Sequence, residues 1–387
     1  MDLSLTDAEQ QFSAEIRRWL DENLEELPAF DSLDDEIAWG REWQARLAAD
    51  RWIGIHWPTS YGGRGATPVE VALYNMEYAR SRAPQPVNRV GINLAGPTLL
   101  AHGTDDQKSR WLPAILSAEH IWCQLFSEPG AGSDLASLAT RATPVDGGWL
   151  LSGQKVWTSY AGHARWGICL ARTDADAPRH RGISYLVVDM TAPGIDLRPL
   201  VQITGEAEFN EVFLDEVFVA RDQLIGELND GWSVANTTLA HERGTSFPFK
   251  EQVVHEVYLD ALLARAHRDH RLDDPEVSDA LAQAFVDLRV LRLHNWRTLS
   301  RLARGIEPGP ESSWVKLAWS DMTQHLSDTA LDVVGEAAPL WAGADRVPDD
   351  GAWQRQWLWS RAASIAGGTS EVQRTIIGER ILGLPRA

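Results

Sequence analysis

The chain changes from helical to strand-like sequence at IWCQLFSEPGAGSD, residues 121–134. Before this stretch, Thr6-x-x-Glu9 forms a capping-box pattern, and apolar residues follow at four-residue spacing from Phe12 to Leu24. This pattern is typical of an amphipathic helix. Further helices are predicted over residues 37–49, 68–79 and 105–117.

Beyond residue 121, short segments rich in β-branched and aromatic residues are bounded by Gly, Asp or Pro, which predicts strands. These segments cover residues 121–127, 148–158, 166–172, 182–190, 194–200 and 211–219. From Gly231 the pattern is helical again. Asp274 can cap a helix whose first residue is Pro275, and other helices are predicted over 312–334 and 371–382.

The order of helices, then strands, then helices indicates an α+β multi-domain protein and not a parallel βαβ sheet. We predict an N-terminal helical domain over residues 1–120, a middle β domain over 121–230 and a C-terminal helical domain over 231–387.

Composition narrows the function. The 387 residues include 36 Lys and Arg against 55 Asp and Glu, a formal net charge of −19, which disfavours binding to nucleic acid or an anionic membrane through bulk charge. The 2 cysteines exclude a disulfide framework, no apolar run is long enough to span a bilayer, and the first residues lack a targeting pattern. A cytoplasmic protein is therefore expected.

The segment SEPGAGSD, residues 127–134, has the residue types of a ligand-binding loop. Gly130 and Gly132 let a backbone approach a ligand closely, and Ser127 and Ser133 offer hydroxyls. It is not a dinucleotide-binding fingerprint, because Leu135 stands where the third glycine belongs. Taken alone, the segment is better explained as a tight turn.

Three further segments accompany this loop in order along the chain. They are HGTDDQK at 102–108, GQKVWTS at 153–159 and IAGGTSEVQR at 365–374. Together with SEPGAGSD, they resemble the acyl-CoA dehydrogenases, and the resemblance covers essentially the whole chain.

The resemblance implies a C-terminal domain like a four-helix bundle and a bound FAD. It also implies an enzyme that removes two hydrogens from Cα and Cβ of an acyl-CoA thioester and passes electrons to an electron-transfer flavoprotein. The cofactor contacts that it implies are Gln124, Phe126, Ser127, Gly132, Ser133, Trp157, Thr158, Ser159, Thr369 and Glu371.

The catalytic base needs separate treatment, because Gly367 stands where many family members carry a glutamate. Other members place the base in a Glu-Arg pair on an early helix of the C-terminal domain, and here that pair is Glu242-Arg243. Glu242 is the candidate base. Arg243, Ser133 and Gly367 are candidates for the substrate side, with the Gly367 N–H available to a thioester carbonyl. A plain ion pair on the helix surface is the competing interpretation of Glu242-Arg243.

Two family motifs that reach the FAD of a neighbouring subunit are altered. Arg265 and Arg268 occur without the usual Arg-x-x-Phe-Gly, and residues 332–336 replace Gln-x-x-Gly-Gly. Both changes are compatible with a tetramer in which a homologous partner chain completes some sites, or with altered flavin affinity. Homotetramer and heterotetramer both stay open. No metal site is indicated, since His241-Glu242 lacks the second histidine of a zinc motif.

Two alternatives remain on the same fold: a flavin oxidase or monooxygenase, and a catalytically silent subunit that stabilises an active homologue. The acyl group is also open among straight, branched and ring-bearing (steroid-like) thioesters. The position of the candidate base favours substrates other than short straight chains.

Overall fold

A computed structural model describes residues 5–28, 30, 32–242, 246–306 and 309–385. The first helices are α1 Asp7–Asn23, α2 Leu33–Ala49, α3 Pro68–Arg80, α4 Gly96–His102 and α5 Asp105–Leu116. The strands are β1 Trp122–Leu125, β2 Arg141–Val145, β3 Gly148–Ser159, β4 Trp166–Arg172, β5 Ile183–Asp189, β6 Ile195–Leu200, β7 Phe209–Ala220 and β8 Leu224–Ile225. The later helices are α6 Gly231–Glu242, α7 Ser246–Arg268, α8 Pro275–Leu302, α9 Glu311–Val334, α10 Ala352–Ser360 and α11 Ser370–Ile376. This order confirms the predicted α+β class.

Side chains at the helix ends explain where two of these helices begin. The Thr6 hydroxyl accepts from the Glu9 N–H at 3.3 Å while the Glu9 carboxylate accepts from the Thr6 N–H at 2.7 Å, so α1 begins with the predicted capping box. At the start of α8, the Asp274 carboxylate accepts from the Glu276 N–H at 3.0 Å and Pro275 is the first residue.

In the described part of the chain, the strands form a single sheet in the order β6-β7-β3-β2-β4-β5-β8, with β1 paired to β4. Most pairs are antiparallel, whereas β1 and β4 run parallel. The buried side of the sheet includes Cys123, Leu125, Leu151, Cys169, Leu186, Val188, Val212 and Val217. Strand β1 is therefore held against β4 by a parallel pairing, and the loop of residues 126–134 follows it.

The described residues pack as two compact units, each built from distant parts of the chain. The first comprises the described parts of Met1–Leu24, Thr67–Ala83 and Arg243–Ala387, and the second comprises those of Glu25–Ala66 and Pro84–Glu242. In the first unit, Ala72 and Met76 of α3 share a buried cluster with Phe249 and Val253 of α7. This division into two units does not test the three predicted domains, whose boundaries stay a prediction.

A second cluster in the first unit joins α7, α8, α9 and α10. Its buried members include Leu259, Leu262, Leu281, Leu288, Trp319, Leu326, Val333 and Trp353. Among the described helices, none combines the length and the apolar character that crossing a membrane requires.

Candidate functional site

The loop after β1 is a tight turn, as its glycines predicted. Glu128 and Ala131 exchange two backbone hydrogen bonds of 3.0 Å across Pro129 and Gly130. A Cβ placed on Gly130 or on Gly132 would meet no atom within 4 Å, so the outer side of the loop is open. The turn therefore presents exposed backbone to a ligand that approaches from that side.

A buried ion pair holds this loop against strand β3. The Lys155 ammonium donates to the Glu128 carboxylate at 2.8 Å, and also to the backbone carbonyls of Leu170 at 2.8 Å and Phe126 at 3.3 Å. The same carboxylate accepts from the N–H groups of Ala139 and Thr140 at 2.6 and 2.9 Å. The pair thus connects SEPGAGSD to GQKVWTS.

Electrostatics around this pair favour the charged carboxylate. Burial opposes ionisation of Glu128, but the Lys155 charge and the donated hydrogen bonds outweigh it and hold its pKa below the ordinary glutamate value. Neither Glu128 nor Lys155 was predicted as a site residue, because no spacing rule in a single sequence connects positions 27 residues apart.

Strand β3 contains a bulge beside the loop. Its register against β7 shifts between Lys155 and Thr158, and Trp157 lies there at a φ of 60°. The indole is 61% exposed and meets the Phe209 ring edge-on at 6.0 Å between ring centroids. A large aromatic residue in the left-handed region with an exposed ring is strained, and such strain is concentrated at functional sites.

Thr158 follows directly and carries a buried hydroxyl. The Thr158 hydroxyl has no hydrogen-bond partner within the described ranges, whereas the Thr158 backbone carbonyl accepts from Asn210 Nδ2 at 3.3 Å. A buried polar atom without a partner is costly, so a ligand group that bonds to it would be stabilising. The exposed Trp157 ring is suited to the face of a flavin, and the unsatisfied Thr158 hydroxyl is suited to a polar atom at its edge.

The other predicted cofactor residues in this unit lie on β1, on the turn that follows it and at the end of β3. The Ser127 carbonyl accepts from the Val156 N–H at 2.9 Å, while Gly132 and Ser133 are exposed on the turn. The Phe126 side chain is buried against Tyr185, with ring centroids 5.8 Å apart, so only its backbone is available to a cofactor. Gln124 and Ser159 are half-buried.

The remaining predicted residues lie in the first unit. Gly367 and Gly368 have φ values of 66° and 94°, and their carbonyls accept from Gln373 Nε2 at 3.3 and 3.2 Å. Thr369 caps α11 by accepting from the Val372 N–H, and Gly367 is exposed. The exposed carboxylate of Glu371 has a pKa below its ordinary value because its own N–H and the Thr369 hydroxyl donate to it.

The candidate base is the last residue of α6. The Glu242 side chain lies outside the described residues, and so does Arg243. Their assignment as base and substrate contact stays a prediction.

The buried His56, which lies near His241 of α6, makes the free energy of unfolding depend on pH. Burial, and secondarily the charge of His241, lowers the His56 pKa from 6.5 to about 4. Below pH 6.5 the unfolded chain takes up a proton at this position that the folded chain refuses until about pH 4. We therefore expect the free energy of unfolding to decrease as pH falls through this interval.

Urea unfolding of the native protein and of His56→Gln, measured from pH 7 downwards, tests this expectation. The variant should lose less stability over the interval, because its side chain does not titrate. Equal slopes for the two proteins would contradict the prediction.

Comparison with known proteins agrees with the described fold. Models of the N-terminal, middle and C-terminal domains of acyl-CoA dehydrogenase match residues 6–119, 123–217 and 229–382. The acyl-CoA dehydrogenase IpdE1 of Mycobacterium tuberculosis is 42% identical over 384 residues, which span 97% of this chain and 98% of that protein.

Two solved structures share the fold over their whole length. The Tcur3481-Tcur3483 steroid ACAD has a TM-score of 0.88 at 29% identity, and the ChsE4-ChsE5 complex from Mycobacterium tuberculosis has 0.84 at 29%. Each match covers 100% of both chains. The family is flavin-dependent. The chain belongs to the acyl-CoA dehydrogenase family and is an oxidoreductase.

Proposed function

We propose that the chain binds FAD and catalyses the α,β-dehydrogenation of an acyl-CoA thioester, with electrons passed to an electron-transfer flavoprotein. The observation that carries this proposal is the pairing of exposed Trp157 with the unsatisfied Thr158 hydroxyl on the β3 bulge. When bound, FAD supplies the acceptor for the hydride that leaves Cβ of the substrate.

The chain's own residues then have distinct tasks. With FAD bound, Trp157 would cover a ring face, the Thr158 hydroxyl would donate to a ring edge, and the turn at residues 128–133 would offer backbone N–H groups to phosphate oxygens. Glu242 removes the α-proton, and the Gly367 N–H donates to the thioester carbonyl, which makes that proton more acidic. Arg243 and Ser133 contact the substrate.

For the acyl group, we propose a bulky, ring-bearing thioester. The support is the likeness to a steroid ACAD at 29% identity over the full chain. A ring-bearing substrate also agrees with the position of the candidate base, which lies in the Glu242-Arg243 pair rather than at residue 367.

For the assembly, we propose a tetramer that includes a homologous chain. Arg265, a residue of the altered pyrophosphate motif, is 16% exposed, and its guanidinium already pairs with Asp269 at 2.8 Å and Asp349 at 3.2 Å. An arginine held in this way is poorly suited to reach a neighbour's cofactor. The likeness to the ChsE4-ChsE5 complex supports the same view.

The first experiment is a visible spectrum of the purified protein, followed by addition of single acyl-CoA thioesters without oxygen. We expect a flavin band that a ring-bearing thioester bleaches and a short straight-chain thioester does not. Electron-transfer flavoprotein should then restore the band faster than oxygen does.

Other outcomes of this experiment would contradict the proposal or support a different function. Bleaching by short straight-chain thioesters alone would contradict the substrate class, and faster recovery with oxygen would favour an oxidase. Bound flavin that no thioester bleaches would overturn the dehydrogenase. A protein that gains colour only when co-expressed with a homologous chain, and then reacts only through that chain's base, would be a silent subunit.

A further inference from the structure

Two adjacent threonines of α6 are bonded to two residues of α4 that lie one helical turn apart. The Thr238 hydroxyl lies 2.8 Å from the Thr98 hydroxyl, and the Thr237 hydroxyl lies 2.8 Å from His102 Nε2. One bond alone would restrain the rotation of α6 about its axis less than two bonds do. Two bonds to points about 6 Å apart along α4 restrict both the rotation and the axial position of α6.

Thr238 is also the middle member of a buried chain of hydroxyl groups. The Tyr185 hydroxyl lies 3.2 Å from Thr238 Oγ1, and the Thr98 hydroxyl donates to the Leu94 carbonyl at 2.8 Å. Thr238 Oγ1 also lies 3.3 Å from the Val234 carbonyl of its own helix. When Thr98 donates to Leu94, the single proton of Thr238 is shared between Thr98 and the Val234 carbonyl, and the Tyr185 hydroxyl donates to Thr238. The chain ends in the π-helical turn Gly91–Ala95, which leads directly into α4.

All three hydroxyl-bearing residues are inaccessible to solvent. Tyr185 and Thr98 are 1% exposed and Thr238 is 0% exposed. Valine or phenylalanine would fill the same space without requiring hydrogen bonds. The two threonine hydroxyls each also have a carbonyl acceptor four residues earlier, at Leu94 and Val234. The Tyr185 hydroxyl has no such local acceptor, so a rotated α6 would take away its Thr238 partner, and this bond favours one arrangement of the helix.

The beginning of α6 is fixed by a second, independent contact with β5. A Cβ on Gly231 would lie 2.5 Å from the carbonyl carbon of Ser184 and 2.6 Å from the Tyr185 nitrogen, so the helix backbone touches the strand there. Tyr185 therefore fixes α6 through its backbone at the first residue and through its hydroxyl two turns later. The next turn ends at Glu242, four residues after Thr238.

We propose that Thr238, together with Tyr185 and Thr98, positions the catalytic base by fixing the rotation of α6. This inference rests on the proposed function of Glu242. The three residues act through the helix and take no part in proton transfer themselves.

The test uses Thr238→Val and Tyr185→Phe in the flavin-loaded protein, with Thr238→Ser as the conservative variant. We expect kcat to fall about 10- to 100-fold in the first two, since a small displacement of a reacting group has effects of that size. KM and the flavin spectrum should be unchanged, and the isotope effect with α-deuterated substrate should increase. Thr238→Ser, which keeps the hydroxyl, should retain the native kcat.

Two matched controls remove similar groups from the first unit. Tyr258→Phe deletes a buried hydroxyl that has no partner among the described residues, and Thr329→Val deletes a hydroxyl bonded to the His325 carbonyl. Both should keep native kcat and isotope effect.

Glu242→Gln is measured in parallel so that the two proposals can fail separately. If Glu242→Gln is inactive while Thr238→Val and Tyr185→Phe keep native kcat, the positioning role is overturned and the base stands. If Glu242→Gln is fully active, both proposals are wrong. Equal losses of kcat in Tyr185→Phe and Tyr258→Phe would also overturn the positioning role.

Discussion

Replacing Glu242 with Gln should leave FAD bound and slow flavin reduction by substrate about 10²- to 10⁴-fold, the range of a general base. Glutamine keeps the size of the side chain but cannot accept the α-proton. Because Gly367 provides no carboxylate at the position that many family members use, no second group is expected to substitute. The measurement is the rate of bleaching of the flavin band after rapid mixing without oxygen.

Glu227→Gln is a suitable control, because it removes an exposed carboxylate from the same unit. It should be reduced at the native rate. A Glu242→Gln protein that is also reduced at that rate would show that another group removes the proton, and would leave Glu242-Arg243 as a plain surface ion pair.

The largest effect on stability is expected at the buried pair between Lys155 and Glu128. Lys155→Met leaves the Glu128 carboxylate buried without its cation, and removing one member of such a pair costs about 3–5 kcal/mol. The double variant Lys155→Met/Glu128→Gln should be more stable than Lys155→Met alone, because it leaves no unpaired charge. Urea unfolding of the native protein, the two single variants Lys155→Met and Glu128→Gln, and the double variant gives the coupling between the two residues.

The pair between Arg46 and Glu25 is a matched control with exposed partners, 2.8 Å apart. Glu25→Gln should cost about 1 kcal/mol or less, as exposed ion pairs do. A loss at Lys155→Met no larger than this would refute the interpretation. Because the Glu128 pKa is held below the ordinary glutamate value, its stabilising contribution should be lost as pH falls from that ordinary value through the lowered pKa.

The sequence allowed the fold class to be predicted where a local pattern determines an element. The capping box at Thr6 and the Asp274-Pro275 pair correctly marked the beginnings of α1 and α8. Strands β3, β4, β5 and β7 contain enough apolar and β-branched residues to be detected. Strand β2, with the sequence RATPV, was missed because Ala142 is its sole buried residue and Pro144 argues against a strand.

For the candidate site, the sequence allowed residues to be selected but not their geometry. Family motifs selected Trp157 and Thr158, but not the bulge that exposes one side chain and leaves the other's hydroxyl unsatisfied. The contacts of Glu128 with Lys155, and of Thr98 with Thr238, join residues 27 and 140 positions apart. Such contacts arise from tertiary packing, which no periodicity in a single sequence records.

The division of the first unit into distant segments also sets the order in which it can fold. Ala72 and Met76 of helix α3 pack in one buried cluster with Phe249 and Val253 of α7. Because α7 lies much later in the chain, the α3 residues emerge from the ribosome long before their partners. The second unit can be completed in the meantime, since most of its chain lies between these two helices. During synthesis α1 and α3 therefore expose an apolar surface that chaperones or incorrect partners can bind. A chain that lacks residues 246–387 should therefore be less soluble than full-length chains that carry substitutions in the candidate active site.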